Sequence, residues 1–259
     1  MSDNSVLIAN AEAPAYLIER DDDEEQTRQH ELHAILFPLV WRPCADALRF
    51  FLSSRASIQV LDVGTGTGYW ILEMAARFPQ VLFKGIDRGK SIHTIRPPDI
   101  QVDYEAFVSE SARVLCSGGL LSVCEWTRSI DTEIDEDITI VAPGACAFLR
   151  AVDNILDVAS RGTLPTTFDI DRAIRSKFRR VQSGFSFIPV GDWKQEYAPE
   201  KIGDRHRKIL IAYASSMRSF LGQYLAPHYV EKLIAGFIAD LRSENRIVSS
   251  YYVAHGERV

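Results

Sequence analysis

Three glycines alternate in Asp62-Val63-Gly64-Thr65-Gly66-Thr67-Gly68, and few backbones can make use of such a stretch. Lacking a Cβ, each glycine lets the chain turn sharply, take positive φ and leave room for a ligand against the main chain. The stretch follows Ile58 to Val63, a short and mostly apolar run of the kind found in a strand covered on both faces. From Tyr69 onward, Ile71, Leu72, Ala75, Ala76 and Phe78 form a helical stripe that Pro79 closes, and Val81 to Asp87 is a second apolar run. The pattern predicts a β-turn-α-β unit with two parallel strands and a right-handed crossover. The first turn of the helix aims its free N–H groups at whatever the glycine turn holds. Asp87 stands 19 positions after Gly68, at the carboxyl end of the second strand, where a carboxylate can accept both hydroxyl hydrogens of a ribose. A glycine turn with a distal acid predicts a nucleoside cofactor.

Two cofactor classes use that plan. A dinucleotide site needs Gly or Ala in the third place of GxGxxG, so that helix and strand can pack closely. Counted from Gly64 that place is Tyr69, and counted from Gly66 it is Ile71; both are too bulky. The steric argument therefore favours S-adenosylmethionine (SAM) over NAD. For Asp62 three roles stay open: orienting the loop, meeting the aminoacyl part of the cofactor, or capping the turn.

With 259 residues, 46% of them hydrophobic, the chain can bury one large α/β core, and we expect a flexible tail over 1–23 and a single domain over 24–259. A net charge of -6 gives no general attraction to phosphate backbones, so nucleic acid is not an expected partner and a small neutral or cationic ligand is. Cys44, Cys116, Cys124 and Cys146 form no CxxC pair and follow no secretory leader, which predicts reduced thiols, no metal site and a cytoplasmic protein. No apolar run reaches the roughly 18 residues of a membrane helix. Of the six histidines, His30, His33, His93, His206, His228 and His255, only His30 and His33 share a helix at a spacing suited to one ligand, and surface or packing roles are expected for all.

Pro38 and Pro43 split the stretch from Glu24 to Ser53 into two helices expected to lie against the sheet. A helix over 103–115 ends at Gly118-Gly119 before a strand at 120–124, and further helices are expected at 148–159, 169–178, 205–221 and 227–244. The β-rich end at 247–253 has an antiparallel partner in Phe178 to Ile188. Glu125 and Trp126, just past a strand's carboxyl end, either stand where an acceptor would meet the cofactor or are ordinary loop residues. Phe185, Phe187, Trp193 and Tyr197 offer either core packing or an apolar substrate pocket. Methyl transfer requires proximity and in-line alignment but no fixed residue type, so no catalytic base can be named.

At VLDVGTGTGYW (60–70) and FKGID (83–87) the sequence resembles the fungal LaeA-like methyltransferases, class I SAM enzymes and regulators associated with secondary metabolism. It is similar also at Gln29-His30, at YEAFVSESARVLCSGGLLSVCEW (104–126) and at GDW (191–193). The resemblance implies a Rossmann-like, doubly wound, mostly parallel sheet with an antiparallel C-terminal hairpin. It also implies that Asp62, Gly64, Thr65, Gly66 and Gly68 surround the methionine part of SAM, that Asp87 holds its ribose, and that His30 approaches the pocket. The acceptor would be a small molecule; an inactive relative would instead bind a regulatory protein partner, in the nucleus or the cytoplasm.

One departure from that family is large. Its third strand, next helix and fourth strand would need several tens of residues, whereas Arg88 to Val102 offers 15, with Pro97-Pro98 among them. The sheet is therefore expected to be shortened, with Asp99 and Asp103 as stand-ins for the group that reads adenine. Strand 58–63 would lose its neighbour, leaving strand 119–125 to move beside it or the stretch near Ile100 to fill the gap.

Overall fold

The computed structural model describes residues 23–37, 42–54, 58–86, 104–133, 136–159, 167–191 and 202–259, which gather into two compact units meeting in sequence at Ile100 and Gln101. Of the expected tail over 1–23, residues 1–22 lie outside the described residues and Asp23 opens a helix; the stretch near Ile100 and Asp87, His93, Asp99, Asp103, Trp193 and Tyr197 lie outside them as well.

The N-terminal unit holds α1 (Asp23–Leu36), α2 (Arg42–Ser54), β1 (Gln59–Val63), α3 (Tyr69–Arg77) and β2 (Leu82–Ile86). β1 and β2 pair in parallel from Gln59 opposite Leu82 to Val63 opposite Ile86, as the β-turn-α-β pattern predicts. Phe37, Ala45, Leu48, Met74, Phe78 and Val81 form the core, with Val60 and Phe83 packed against it from the ribbon. The opposite face of the ribbon is open: Leu61, Val63 and Leu82 are 47%, 48% and 64% exposed. A strand composed for two covered faces thus has one.

The C-terminal unit runs α4 (Tyr104–Val114), β3 (Leu120–Thr132), α5 (Ile138–Val141), α6 (Pro143–Ala159), α7 (Thr167–Lys177), β4 (Phe178–Val190), α8 (Ile202–Ser216), α9 (Arg218–Gly222), α10 (Pro227–Leu241) and β5 (Ile247–Arg258). Its sheet has the order β3-β5-β4, antiparallel throughout. One face packs on α6, α8 and α10 through Phe148, Tyr213, Phe237 and their neighbours. The other packs on α4 and α7 through Val108, Ile170 and Ile174. Helices α6 and α10 cross at Gly144 and Gly236, so closely that a Cβ on Gly144 would stand 2.6 Å from the Gly236 carbonyl. On α8 the fully buried His206 donates from Nδ1 to the Pro189 carbonyl at 3.0 Å, and burial pushes its pKa down to about 4.

The α/β class, the antiparallel C-terminal pairing and the shortened sheet are as the sequence predicts, but the expected mostly parallel sheet is not found: among the described residues only β1 and β2 pair in parallel, and β3, β5 and β4 form an antiparallel sheet. The movement of strand 119–125 beside strand 58–63 is not found: among the described residues β3 pairs with β5 and β1 with β2. The long antiparallel ladder from Leu120–Glu257 to Thr132–Ile247 commits one edge of β3 to β5. Among the described residues, no helix is long and apolar enough to cross a membrane. Cys116 is exposed and Cys124 and Cys146 are half-buried, all three as thiols.

Candidate functional site

The glycine turn is anchored by backbone bonds. The N–H groups of Gly64 and Thr65 donate to the Ile86 carbonyl at 2.8 and 3.1 Å, tying the end of β1 to the end of β2. Gly68 N–H then donates to the Thr65 carbonyl at 2.8 Å, and α3 starts from Gly68. The φ angles of Gly64, Gly66 and Gly68 are 81°, 53° and 80°, all in the left-handed region. A Cβ added at Gly64 or Gly68 would meet nothing within 4 Å, so the space beside those positions is open. Gly68 offers no side chain to cap α3.

Asp62, opposite Gly85 in the β1–β2 register, is half-buried, and burial pushes its carboxyl pKa up. The Thr65 hydroxyl and His33 pull in the other direction. The Thr65 oxygen is itself buried without a well-formed hydrogen bond. A partly desolvated carboxylate is stabilised by a cation brought against it.

Helix α1 lies over this turn. Gln29 Oε1 stands 2.7 Å from where a Gly66 Cβ would be, the His30 ring stacks on Tyr69 with centroids 4.1 Å apart, and His33 Nε2 meets Glu73 Oε2 at 2.6 Å. Glu73 also holds Arg77. His33 therefore has the expected packing role, pinning α1 to α3. On the other side Gly85 makes room: a Cβ there would fall 2.6 Å from Ile71 Cδ1 and 2.8 Å from Thr65 Oγ1.

Of the predicted site residues, Asp62, Gly64, Thr65, Gly66 and Gly68 come together on one turn. Asp87 is the residue after Ile86, the last described residue of β2. The contributions of Glu73 and Gly85 are not marked in the sequence, because each acts through a partner on another element.

Sites expected elsewhere fall in the C-terminal unit. Glu125 faces Tyr252 across β5. Trp126 points the other way, into the core, with Nε1 donating to Ser249 Oγ at 2.8 Å and its ring edge on Tyr213; it is a packing residue and not an acceptor contact. Phe185 and Phe187 are each 53% exposed and so are not core.

No family model matches the chain, and no curated protein matches it. Solved structures similar to it include phosphoethanolamine N-methyltransferase 2 of Haemonchus contortus, with phosphomonomethylethanolamine and S-adenosylhomocysteine (TM-score 0.42, 13% identity, 94% of this chain and 60% of that one). A mycolic acid cyclopropane synthase complexed with S-adenosylhomocysteine gives 0.40 and 14% over 93% and 90%. Coclaurine N-methyltransferase with N-methylheliamine and S-adenosylhomocysteine gives 0.40 and 9% over 98% and 75%. Each of these three structures holds S-adenosylhomocysteine. Likenesses at these identities assign the chain to no family.

Proposed function

We propose that this chain is a SAM-dependent methyltransferase acting on a small-molecule acceptor, with residues 24–259 serving as one functional domain. The observation that carries the reading is the turn Gly64–Gly68: three left-handed glycines, open space beside two of them, and a helix N-terminus without a side-chain cap behind. In this reading the turn and the first amides of α3 hold the carboxylate end of the methionine moiety, and Asp62 faces a positive group of the ligand. Asp87 takes the ribose hydroxyls. The LaeA-like motifs at 60–70 and 83–87 support the same assignment and point to a secondary metabolite as acceptor, in the cytoplasm.

SAM, when bound, supplies a methyl carbon activated by its sulfonium. Transfer of that methyl to an acceptor's lone pair would leave S-adenosylhomocysteine. The residues of the turn contribute binding and orientation.

A thermal-shift titration with SAM, S-adenosylhomocysteine and NAD tests this, since a ligand at 100 times its dissociation constant stabilises by about 2.7 kcal/mol. The first two are expected to stabilise the parent, NAD to leave it unchanged, and Gly66→Arg to abolish the shift. A Gly66→Arg protein stabilised like the parent would overturn the assignment.

The uncovered face of the two-stranded parallel ribbon favours a second reading, a catalytically weak or inactive methyltransferase-like protein that binds a regulatory partner. Cofactor binding with no conversion to S-adenosylhomocysteine, across a panel of phenols, amines and thiols, would support it.

A further inference from the structure

Strand β4 is an edge of the antiparallel sheet, and its middle is unprotected. Gln182, Ser183, Gly184, Phe185 and Phe187 are exposed, both rings by 53%, and the sequence from Val181 to Gly191 carries no charge. Charges, prolines and bulges normally blunt such an edge. Here the register shift between Arg179 and Gln182 closes one end and Pro189 the other, and the stretch between them is left able to pair.

The bonds of the neighbouring ladder fix where the β4 backbone points. Arg258 N–H donates to the Gly119 carbonyl at 2.8 Å and its carbonyl accepts from Gly118 N–H at 3.0 Å, so both of its groups turn toward the start of β3. A residue of an antiparallel strand sends its N–H and C=O to one side, and the side alternates along the strand. Gly256, Ala254 and Tyr252, opposite Leu121, Val123 and Glu125 ahead of the bulge at 127–129, therefore also turn to β3. Beyond the bulge Glu133 N–H donates to the Arg246 carbonyl at 2.9 Å, which sets Val248 the same way. Ser183, Phe185 and Pro189, opposite Ala254, Tyr252 and Val248, must then turn away from β5, and Phe187 lies in step with them. An outward position suits Pro189, which has no N–H to give. Among the described residues no other backbone group meets the outward N–H and C=O of Ser183, Phe185 or Phe187.

We propose that this edge joins a second copy of the chain, β4 against β4 in antiparallel, on a twofold axis at Phe185. In that register Phe185 meets Phe185 and Ser183 meets Phe187 of the second copy as hydrogen-bonded pairs, which uses all of their outward groups. A shift by two residues would set Pro189 opposite Ser183, where it has no N–H and its carbonyl already accepts from His206. The uncharged stretch selects no partner of opposite charge, and Arg179 and Arg180 of the two copies fall at opposite ends of the joint, so like charges do not oppose one another. Phe185 and Phe187 share a face, and the twofold axis gathers the rings of both copies there. Burying the open half of these rings hides roughly 400 Å². A durable interface hides about 1,200 Å² or more, so the dimer is weak and reversible. None of this depends on the cofactor assignment.

The test is analytical ultracentrifugation of the full chain from about 5 to 500 μM, a range suited to a weak interface. A monomer–dimer equilibrium that stops at the dimer is expected, and it should persist in Leu61→Thr with Leu82→Thr, which changes the separate apolar face of the β1–β2 ribbon. Phe185→Lys sets two ammonium groups opposite each other at the axis and should weaken the dimer at least about tenfold. Phe168→Lys, at an exposed ring on α7, should leave it unchanged. Phe185→Cys should cross-link on oxidation, because paired residues stand about 5.5 Å apart at Cα, within disulfide reach. Gln182→Cys, roughly 20 Å from its own copy, should not. Peptide mass spectrometry locates each cross-link, and circular dichroism shows that each variant is folded. A chain monomeric at about 500 μM would overturn the proposal and leave the edge to an extended segment of another protein. A dimer that folded Phe185→Lys leaves intact, or one that does not cross-link through position 185, would overturn it as well.

Discussion

Single side chains decide two measurable properties. Gly85 is held to glycine by its neighbours and not by its backbone: a methyl there meets Ile71 and Thr65 at under 3 Å. Gly85→Ala is expected to cost about 1–3 kcal/mol in denaturant unfolding and to weaken S-adenosylhomocysteine binding, because the displaced Thr65 belongs to the turn. His206 works through protons. Its pKa falls from the ordinary 6.5 to about 4 on folding, so between those values the unfolded chain binds the proton and the folded one does not. The stability from neutral His206 is complete above pH 6.5 and is lost as pH drops toward 4. From pH 7 to 5 the loss is about 2 kcal/mol, and a folded His206→Asn variant should lack that part of the decline in its urea midpoint. At this scale the glycine turn was legible, since its chemistry is written in seven consecutive residues. Gly85 and Glu73 were not, since their roles depend on side chains many positions away.

Elements came through the sequence in proportion to their periodicity. The stripes at 205–221 and 227–244 correspond to α8 to α10, with the first divided near Met217, and the partner of the C-terminal strand was found at Phe178. Helix α6 begins at Pro143, ahead of the expected 148, because Pro is favoured in a first turn where its missing N–H costs nothing. The bulge at 127–129 left no signature, as it is set by the pairing of β3 with β5. The α6–α10 crossing was equally silent. There Gly144→Ala drives a methyl into the Gly236 backbone, which cannot rotate away, and should cost about 3 kcal/mol in chemical denaturation. Gly222→Ala, on α9 with nothing within 4 Å, is the control and should be neutral or slightly stabilising, by about 0.5 kcal/mol.

At the scale of the molecule, counting residues between Asp87 and α4 was enough to expect a short sheet. The outcome of that shortage was not legible, because strand pairing is non-local and a chain missing its central strands can close in several ways. The described strands form a parallel ribbon and a separate antiparallel sheet. The exposed Leu61, Val63 and Leu82 follow from that, and an open apolar face of this kind promotes self-association. Leu61→Thr with Leu82→Thr is expected to reduce the concentration-dependent rise in light scattering while S-adenosylhomocysteine binding survives; a steeper rise would count against this account. The pinning of α1 has its own corollary. Since Gln29 borders Gly66, and His30 and His33 engage Tyr69 and Glu73, unwinding the first helix uncovers the turn. The two are thermodynamically linked: by whatever factor a ligand in the turn favours the wound helix, winding the helix favours the ligand.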